Sequence, residues 1–248
     1  MRYLCLHGMG TNANIFDFQT GPLRHALGTH DEYQFYEGDH DIEPAPGISN
    51  LFPHEATKAW YAPSLGSHTH SEAKEFIREI IETEGPFDAC IGFSQGAALL
   101  ASVILDHQEE NPFGEGLFKF AVFICGSSGL SVSTTTSGAS TPLRSGANSP
   151  FSQSATSLTS DDGEWSKIDP VQLKLDGKRI RIPTAHIYGS KDDAYDESLR
   201  LRDMCEESGG RRVEFDHRGG HEIPRDRKTT MEMMRVVQRV IGKVMASC

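Results

Sequence analysis

Residues 87–106 read FDACIGFSQGAALLASVILD, and this stretch decides the fold. Phe87–Ile91 is a short apolar run suited to a buried strand. Ala97–Asp106 has the length and propensity of a helix. Between them stands Gly92-Phe93-Ser94-Gln95-Gly96, a G-x-S-x-G sequence in strand–turn–helix context. Side chains at 92 and 96 would collide with the neighbouring strand and helix. Glycine at both positions lets a sharp turn close and aims the Ser94 hydroxyl out of the sheet. The N-terminus of the following helix favours negative charge developing beside it. Ser94 is therefore the candidate nucleophile. The bland alternative is a glycine-rich turn with an incidental serine, and the flanking strand and helix argue against it.

Working outward, the same alternation recurs. Arg2–Leu6 is a short apolar strand leading into the turn His7-Gly8-Met9-Gly10. Asn12–Leu27 reads as a helix that starts or breaks near Pro22. Glu32–Glu37 alternates like a half-buried strand. Residues 38–65 are rich in Pro, Gly, Asp and His and read as irregular. Ser71–Glu84 is a helix with Ser71 as its cap and Ala73, Phe76, Ile77, Ile80 and Ile81 as its buried stripe. Phe118–Cys125 and Ile180–Tyr188 are strands, Ala194–Glu207 a helix, Arg212–Asp216 a strand and Arg225–Ala246 a helix. In that last helix Met234, Val237, Val240, Ile241 and Val244 form the apolar stripe. Repeated strand–helix units predict an α/β fold with a mostly parallel central sheet and helices on both faces. Right-handed crossovers would bring the loops after the strands to one edge.

One segment departs from this pattern. Residues 127–160 are dominated by Ser, Thr, Gly and Pro, with Arg144 their one charge. So little apolar surface does not offset ordering entropy. The segment is expected to be a mobile insertion within a single domain spanning 1–248, because strand and helix resume after it.

Length and charge bound the function. A chain of 248 residues can bury a full core without staples. The formal net charge of −11 argues against a nucleic-acid partner, which needs phosphate-neutralising Lys and Arg. No apolar run reaches the ~18 residues of a membrane span. The start, MRYLCLHGMG, has no signal-peptide apolar region, so a cytoplasmic location is expected. The five cysteines form no CxxC pair, and Cys5, Cys90 and Cys125 lie in strand-like runs, where a thiol acts as a small hydrophobe.

A serine hydroxyl needs a base, and histidine titrates in the right range. His221, in Gly219-Gly220-His221-Glu222-Ile223-Pro224, follows the last strand and is flanked by glycine. His217, at the strand end, is its nearest competitor. A carboxylate should orient the imidazole. The segment Tyr188-Gly189-Ser190-Lys191-Asp192-Asp193 lies between Ser94 and His221 in sequence and offers two. Adjacent side chains diverge, so one faces the histidine; Asp192 is preferred, and Asp193 can cap the next helix. Two backbone N–H groups should form an oxyanion hole: Gln95, after the nucleophile, and Met9, in the loop after the first strand. His7 is expected to brace that loop. Trp60 and Tyr61 are weak candidates for lining an acyl pocket, against a core role. His68-Thr69-His70 and Asp39-His40-Asp41 lack ligand-spaced partners. Neither a metal nor a cofactor is expected.

These segments together resemble the fungal serine hydrolase family of the α/β-hydrolases. The carriers are LCLHGMGTNANIF, GPFDACIGFSQGAAL, HIYGSKDD and GGHEIP, and the likeness covers about residues 1–126 and 165–245. The resemblance implies an α/β-hydrolase fold and a triad falling on Ser94, Asp192 and His221. It implies hydrolysis of acyl esters or acyl thioesters. Its polyketide-pathway thioesterase branch implies release or editing of a polyketide acyl chain, with the acyl carrier domain of a polyketide synthase as a conceivable partner. General carboxylesterase action and acyl transfer are the alternatives. The 127–160 segment departs from the family pattern where lid elements often occur, so pocket details do not carry over.

Overall fold

The first strand, β1 (Arg2–Leu6), is followed by α1 (Ala13–Leu27), β2 (Glu32–Tyr36), β3 (His40–Asp41), α2 (Ile48–Leu51), β4 (Lys58–Ala59) and α3 (His68–Glu84). Then come β5 (Ala89–Phe93), α4 (Gln95–Glu110), β6 (Phe120–Ile124), β7 (Thr184–Tyr188), α5 (Tyr195–Asp203), β8 (Arg212–Asp216) and α6 (Arg227–Ala246). This is a computed structural model that describes residues 1–28, 30–62, 65–127 and 178–246. The Ser/Thr-rich stretch expected to be a mobile insertion lies outside the described residues, except for Ser127.

Six strands form one sheet in the order β2-β1-β5-β6-β7-β8, and every neighbouring pair is parallel. The central strands are buried on both faces, as parallel sheets require. Side chains alternate between two cores. Leu4, Leu6, Cys90, Ala121 and Phe123 face α3 and α4, whereas Tyr3, Cys5, Ile91, Val122 and Ile187 face α1 and α6. Strand β1 lies between β2 on one side and β5 on the other, so the chain reverses direction across the sheet there. The loops after β1 and β5 therefore flank a crevice at the carboxyl edge, where ligands bind in open α/β sheets.

Several elements differ from expectation. Helix α1 runs unbroken through Pro22, and its start is set at Asn12, whose side chain accepts the Ile15 N–H at 2.7 Å. A proline deletes one backbone bond; packing of Ile15, Phe16 and Leu23 in the core outweighs that loss. Helix α3 starts at His68, ahead of the expected cap Ser71, because Thr69 hydrogen-bonds Gly66 and Ala62 and His70 turns into the core. Phe76, expected in its buried stripe, is 42% exposed. The irregular 38–65 segment contains the small antiparallel β3–β4 pair and the one-turn α2. Strand β5 lies two residues later than predicted, where its backbone meets β1 and β6 in register. Strand β7 begins only at Thr184, since Pro183 before it has no N–H to give a ladder.

The elbow joining β5 to α4 depends on close approach. A Cβ on Gly96 would lie 2.4 Å from the Leu6 carbonyl oxygen and 2.5 Å from that of His7, and one on Gly92 would lie 2.6 Å from the Ala97 backbone. Neither contact involves a side chain that could swing away. Gly96→Ala is expected to cost about 3 kcal/mol of stability, read as a lowered midpoint in urea unfolding; an unchanged midpoint contradicts this packing.

Candidate active site

Ser94 occupies the turn between β5 and α4 with φ 51 and ψ −116. A non-glycine residue in this region is strained by about 1–3 kcal/mol. The ladder holds it there: the Ser94 N–H donates to the Ile124 carbonyl at 3.0 Å, and α4 packs directly behind. The hydroxyl projects above the carboxyl edge of the sheet.

Asp192 follows β7 and His221 follows β8. The loops that carry them are joined by the Lys191 N–H donating to the Gly219 carbonyl at 2.9 Å. Their side chains meet Ser94 in one line. His221 Nε2 lies 2.8 Å from Ser94 Oγ, and His221 Nδ1 lies 2.7 Å from Asp192 Oδ2. The Asp192 side chain is 1% exposed and that of His221 40% exposed. The orienting carboxylate is thus shielded while the base opens to solvent. Phe93 supports the imidazole, with ring centroids 5.1 Å apart.

Burial alone would push the Asp192 carboxyl up. The hydrogen bond from His221 and its charge, with the Ala194 amide and the Cys125 thiol, outweigh burial and hold the carboxyl below its ordinary value. Asp192 therefore stays ionised and accepts from Nδ1–H, which leaves Nε2 free to accept the Ser94 proton. Asp193 is exposed and does not cap α5; Asp192 itself accepts the Ala194 N–H at 2.8 Å.

Of the two expected oxyanion donors, Gln95 directly follows Ser94 in the chain. Gln95 opens α4, so its N–H has no intrahelical acceptor. In the loop after β1, Gly10 N–H is taken by the Lys58 carbonyl and Thr11 N–H by that of Gly8. The Gln95 Nε2–H donates to the Met9 sulfur at 3.9 Å.

The support of this loop extends beyond the His7 brace expected from the sequence. His7 is fully buried; its Nε2 accepts the Gly38 N–H at 3.0 Å and its Nδ1–H donates to the Gly8 carbonyl at 2.8 Å. Burial lowers its pKa to about 4, so it is a neutral brace. Trp60 and Tyr61 are 2% and 5% exposed and belong to the core. Trp60 Nε1–H donates to the His7 carbonyl at 2.8 Å. The Gln95 side chain accepts the Trp60 N–H and donates to the Tyr61 carbonyl, both at 2.8 Å. A polar residue inside a nucleophile turn is the one signal in the sequence for this clamp. His70 pairs with Ser102 at 3.3 Å, and Asp41 pairs with Lys58. His217 packs behind the site, its Nε2 3.8 Å from Cys125 Sγ.

Residues 1–233 match the family described as "Serine hydrolase (FSH1)". The chain belongs to the FSH1 serine hydrolase family. It is a serine hydrolase. Among curated relatives, esterase FPY3 of Fusarium mangiferae is 34% identical over 247 residues, covering 98% of each chain. Esterase alnB of Emericella nidulans is 30% identical over 262 residues, covering 90% of each. Among solved structures, a carboxylesterase from Mesorhizobium loti aligns with a TM-score of 0.54 at 14% identity, covering 98% of this chain and 88% of that one. The likeness to that structure shows the shared α/β-hydrolase fold. Among the described residues, no helix of this FSH1 member is long and apolar enough to cross a membrane.

Three buried histidines give the protein an acid-sensitive core. Burial lowers His7 and His70 to about 4 and His186 to about 3. Above pH 6.5 they are neutral folded or unfolded. As pH falls below 6.5 the unfolded chain gains protons that the folded chain refuses until about pH 4. Folding stability should therefore drop by about 2 kcal/mol per histidine between pH 7 and pH 5. Urea unfolding across that range measures it; a flat profile contradicts the neutral assignment.

Proposed function

We propose that the protein hydrolyses acyl esters or acyl thioesters through an acyl-Ser94 intermediate. The observation that carries this reading is the continuous line from Ser94 Oγ through His221 to the buried Asp192 carboxylate, with 2.8 and 2.7 Å links. His221 Nε2 takes the Ser94 proton as Oγ attacks the acyl carbonyl. The oxyanion is received by the Met9 and Gln95 amides at the positive end of α4. His221 then gives its proton to the departing alkoxide or thiolate. Water, deprotonated by the same imidazole, attacks the acyl-enzyme, frees the acid and restores Ser94.

The substrate is a small acyl ester or thioester, and the acyl group is of the polyketide type. The resemblance to the polyketide-pathway branch supports the acyl class. Fungal relatives named as esterases support the ester bond. The net charge of −11 disfavours docking of an acidic carrier domain, which favours a free acyl compound over one tethered to a polyketide synthase.

Ser94→Ala is expected to lower turnover of p-nitrophenyl acyl esters by at least about a thousandfold while leaving the thermal midpoint near that of the parent. A fluorophosphonate probe should label the parent at Ser94 and leave the variant unlabelled. Retained hydrolysis in Ser94→Ala overturns the reading. In the parent, kcat/KM should fall on the acid side, because the general base must be unprotonated to take the serine's proton, with no matching alkaline fall from the serine. Matched oxygen esters and thioesters of increasing chain length separate the two substrate classes by their kcat/KM.

A further inference from the structure

Behind the Asp192–His221 pair lies a second layer of side chains that the reaction as described does not use. Cys125 follows β6 and is 1% exposed. Its backbone takes φ 44, a left-handed conformation that costs a residue with a Cβ. Its N–H donates to the Ile187 carbonyl at 2.7 Å. Held in this way, Cys125 brings its sulfur to the triad: Sγ, an Asp192 carboxylate oxygen and a His221 ring nitrogen all lie within 4.8 Å of one another. The thiol thus stands beside the carboxylate.

The direction in which the thiol gives its hydrogen follows from the histidine behind it. His217 Nδ1 accepts the Gly219 N–H at 3.1 Å. Burial disfavours the charged ring and, with positive charge at His221, lowers His217 below its ordinary value, although Glu222, Asp216 and Asp192 face it with negative charge. A neutral imidazole that accepts at Nδ1 carries its hydrogen on Nε2. That hydrogen points to Cys125 Sγ, 3.8 Å away. The sulfur thus receives one hydrogen and has its own to give. Two acceptors are near, the Glu222 carbonyl at 3.6 Å and the Asp192 carboxylate. The ionised acceptor makes the stronger bond. Burial pushes the Cys125 thiol up, so its hydrogen stays in place at neutral pH. Room for the ring is provided at Gly189, where a Cβ would lie 2.6 Å from His217 Cε1 and 2.2 Å from the Gly219 carbonyl oxygen.

We propose that Cys125 is a positioning residue: its thiol donates to the Asp192 carboxylate and, with His217 behind it, holds that carboxylate where it orders the His221 imidazole. The chain of donors runs from Gly219 N–H to His217, from His217 to Cys125 and from Cys125 to Asp192. Asp192 then receives the Cys125 thiol, the Ala194 amide and the His221 ring together. The competitor base of the sequence becomes the anchor of the acid. This inference rests on the reading of Ser94, His221 and Asp192 as the reacting set.

The test compares Cys125→Ala, which removes the donor, with Cys125→Ser, which keeps one, using p-nitrophenyl acyl esters well below the thermal midpoint of each variant. Cys125→Ala should lower kcat about tenfold with KM little changed. It should also move the acid limb of the kcat/KM profile to higher pH, because a carboxylate with one donor fewer stabilises the imidazolium more. Cys125→Ser should recover both, to within about threefold in kcat. His217→Ala should repeat the Cys125→Ala effect in weaker form. If Cys125→Ala keeps the parental kcat and pH profile, losing only thermal stability, the thiol is packing alone and the proposal fails. It fails equally if Cys125→Ser is as impaired as Cys125→Ala at equal stability. Activity retained in Ser94→Ala would instead sink the reading of the site itself, so the two failures are distinct.

Discussion

The strained turn at Ser94 is the constraint on which the rest of the structure depends. A left-handed serine between a strand and a helix persists only where its surroundings over-determine it. Here β5 is locked between β1 and β6, the Ser94 N–H is spent on Ile124, and α4 presses so close to β1 that position 96 admits no Cβ. The unfavourable backbone is held by the packing of the two cores on either side of the sheet. What that strain gains is direction. The hydroxyl leaves the sheet at its carboxyl edge, next to the amide that opens α4, and both are fixed before any substrate arrives.

Around this turn the protein divides its polar groups by exposure. The carboxylate of Asp192 is buried and over-supplied with donors, the imidazole of His221 is partly open, and the Ser94 hydroxyl is reachable. A buried anion is costly unless it is paired and hydrogen-bonded, and Asp192 is both. The same loop clustering brings the strands' carboxyl ends into one wall. The acid loop and the base loop share the bond from Lys191 to Gly219, so the two groups that must stay 2.7 Å apart are carried on a joined pair of loops.

The side opposite the base is held by a different device. Gln95 clamps the backbone at Trp60 and Tyr61, Trp60 holds the His7 carbonyl, and His7 holds Gly38. The irregular stretch between β2 and α3 is thereby fastened to the loop after β1 through buried hydrogen bonds. Such bonds are worth most where water is excluded. Gly38 and Trp60 thus brace the loop after β1. Residues with no place in the chemistry set the position of those that have one.

Much of this was legible in the chain as written. Apolar runs and turn glycines gave the strands, the helices and their order, and G-x-S-x-G in its strand–turn–helix setting singled out Ser94. The late Gly-flanked His221 and the Asp192 pair followed from chemistry and position. Local signals misplaced what tertiary contacts decide. Ser71 looked like a cap, yet Thr69 and His70 extend the helix by packing. Trp60 and Tyr61, read as core more than as pocket, do lie in the core, held there by hydrogen bonds. By itself, then, the sequence determined the alternation of elements and the identity of the reactive side chains, because periodicity and residue chemistry are local properties. Only the tertiary structure decided which of His217 and His221 faces the serine, which aspartate is buried, and that a cysteine stands behind it. Those choices depend on distances between loops that lie from 29 to 127 residues apart in the chain, which folding alone sets.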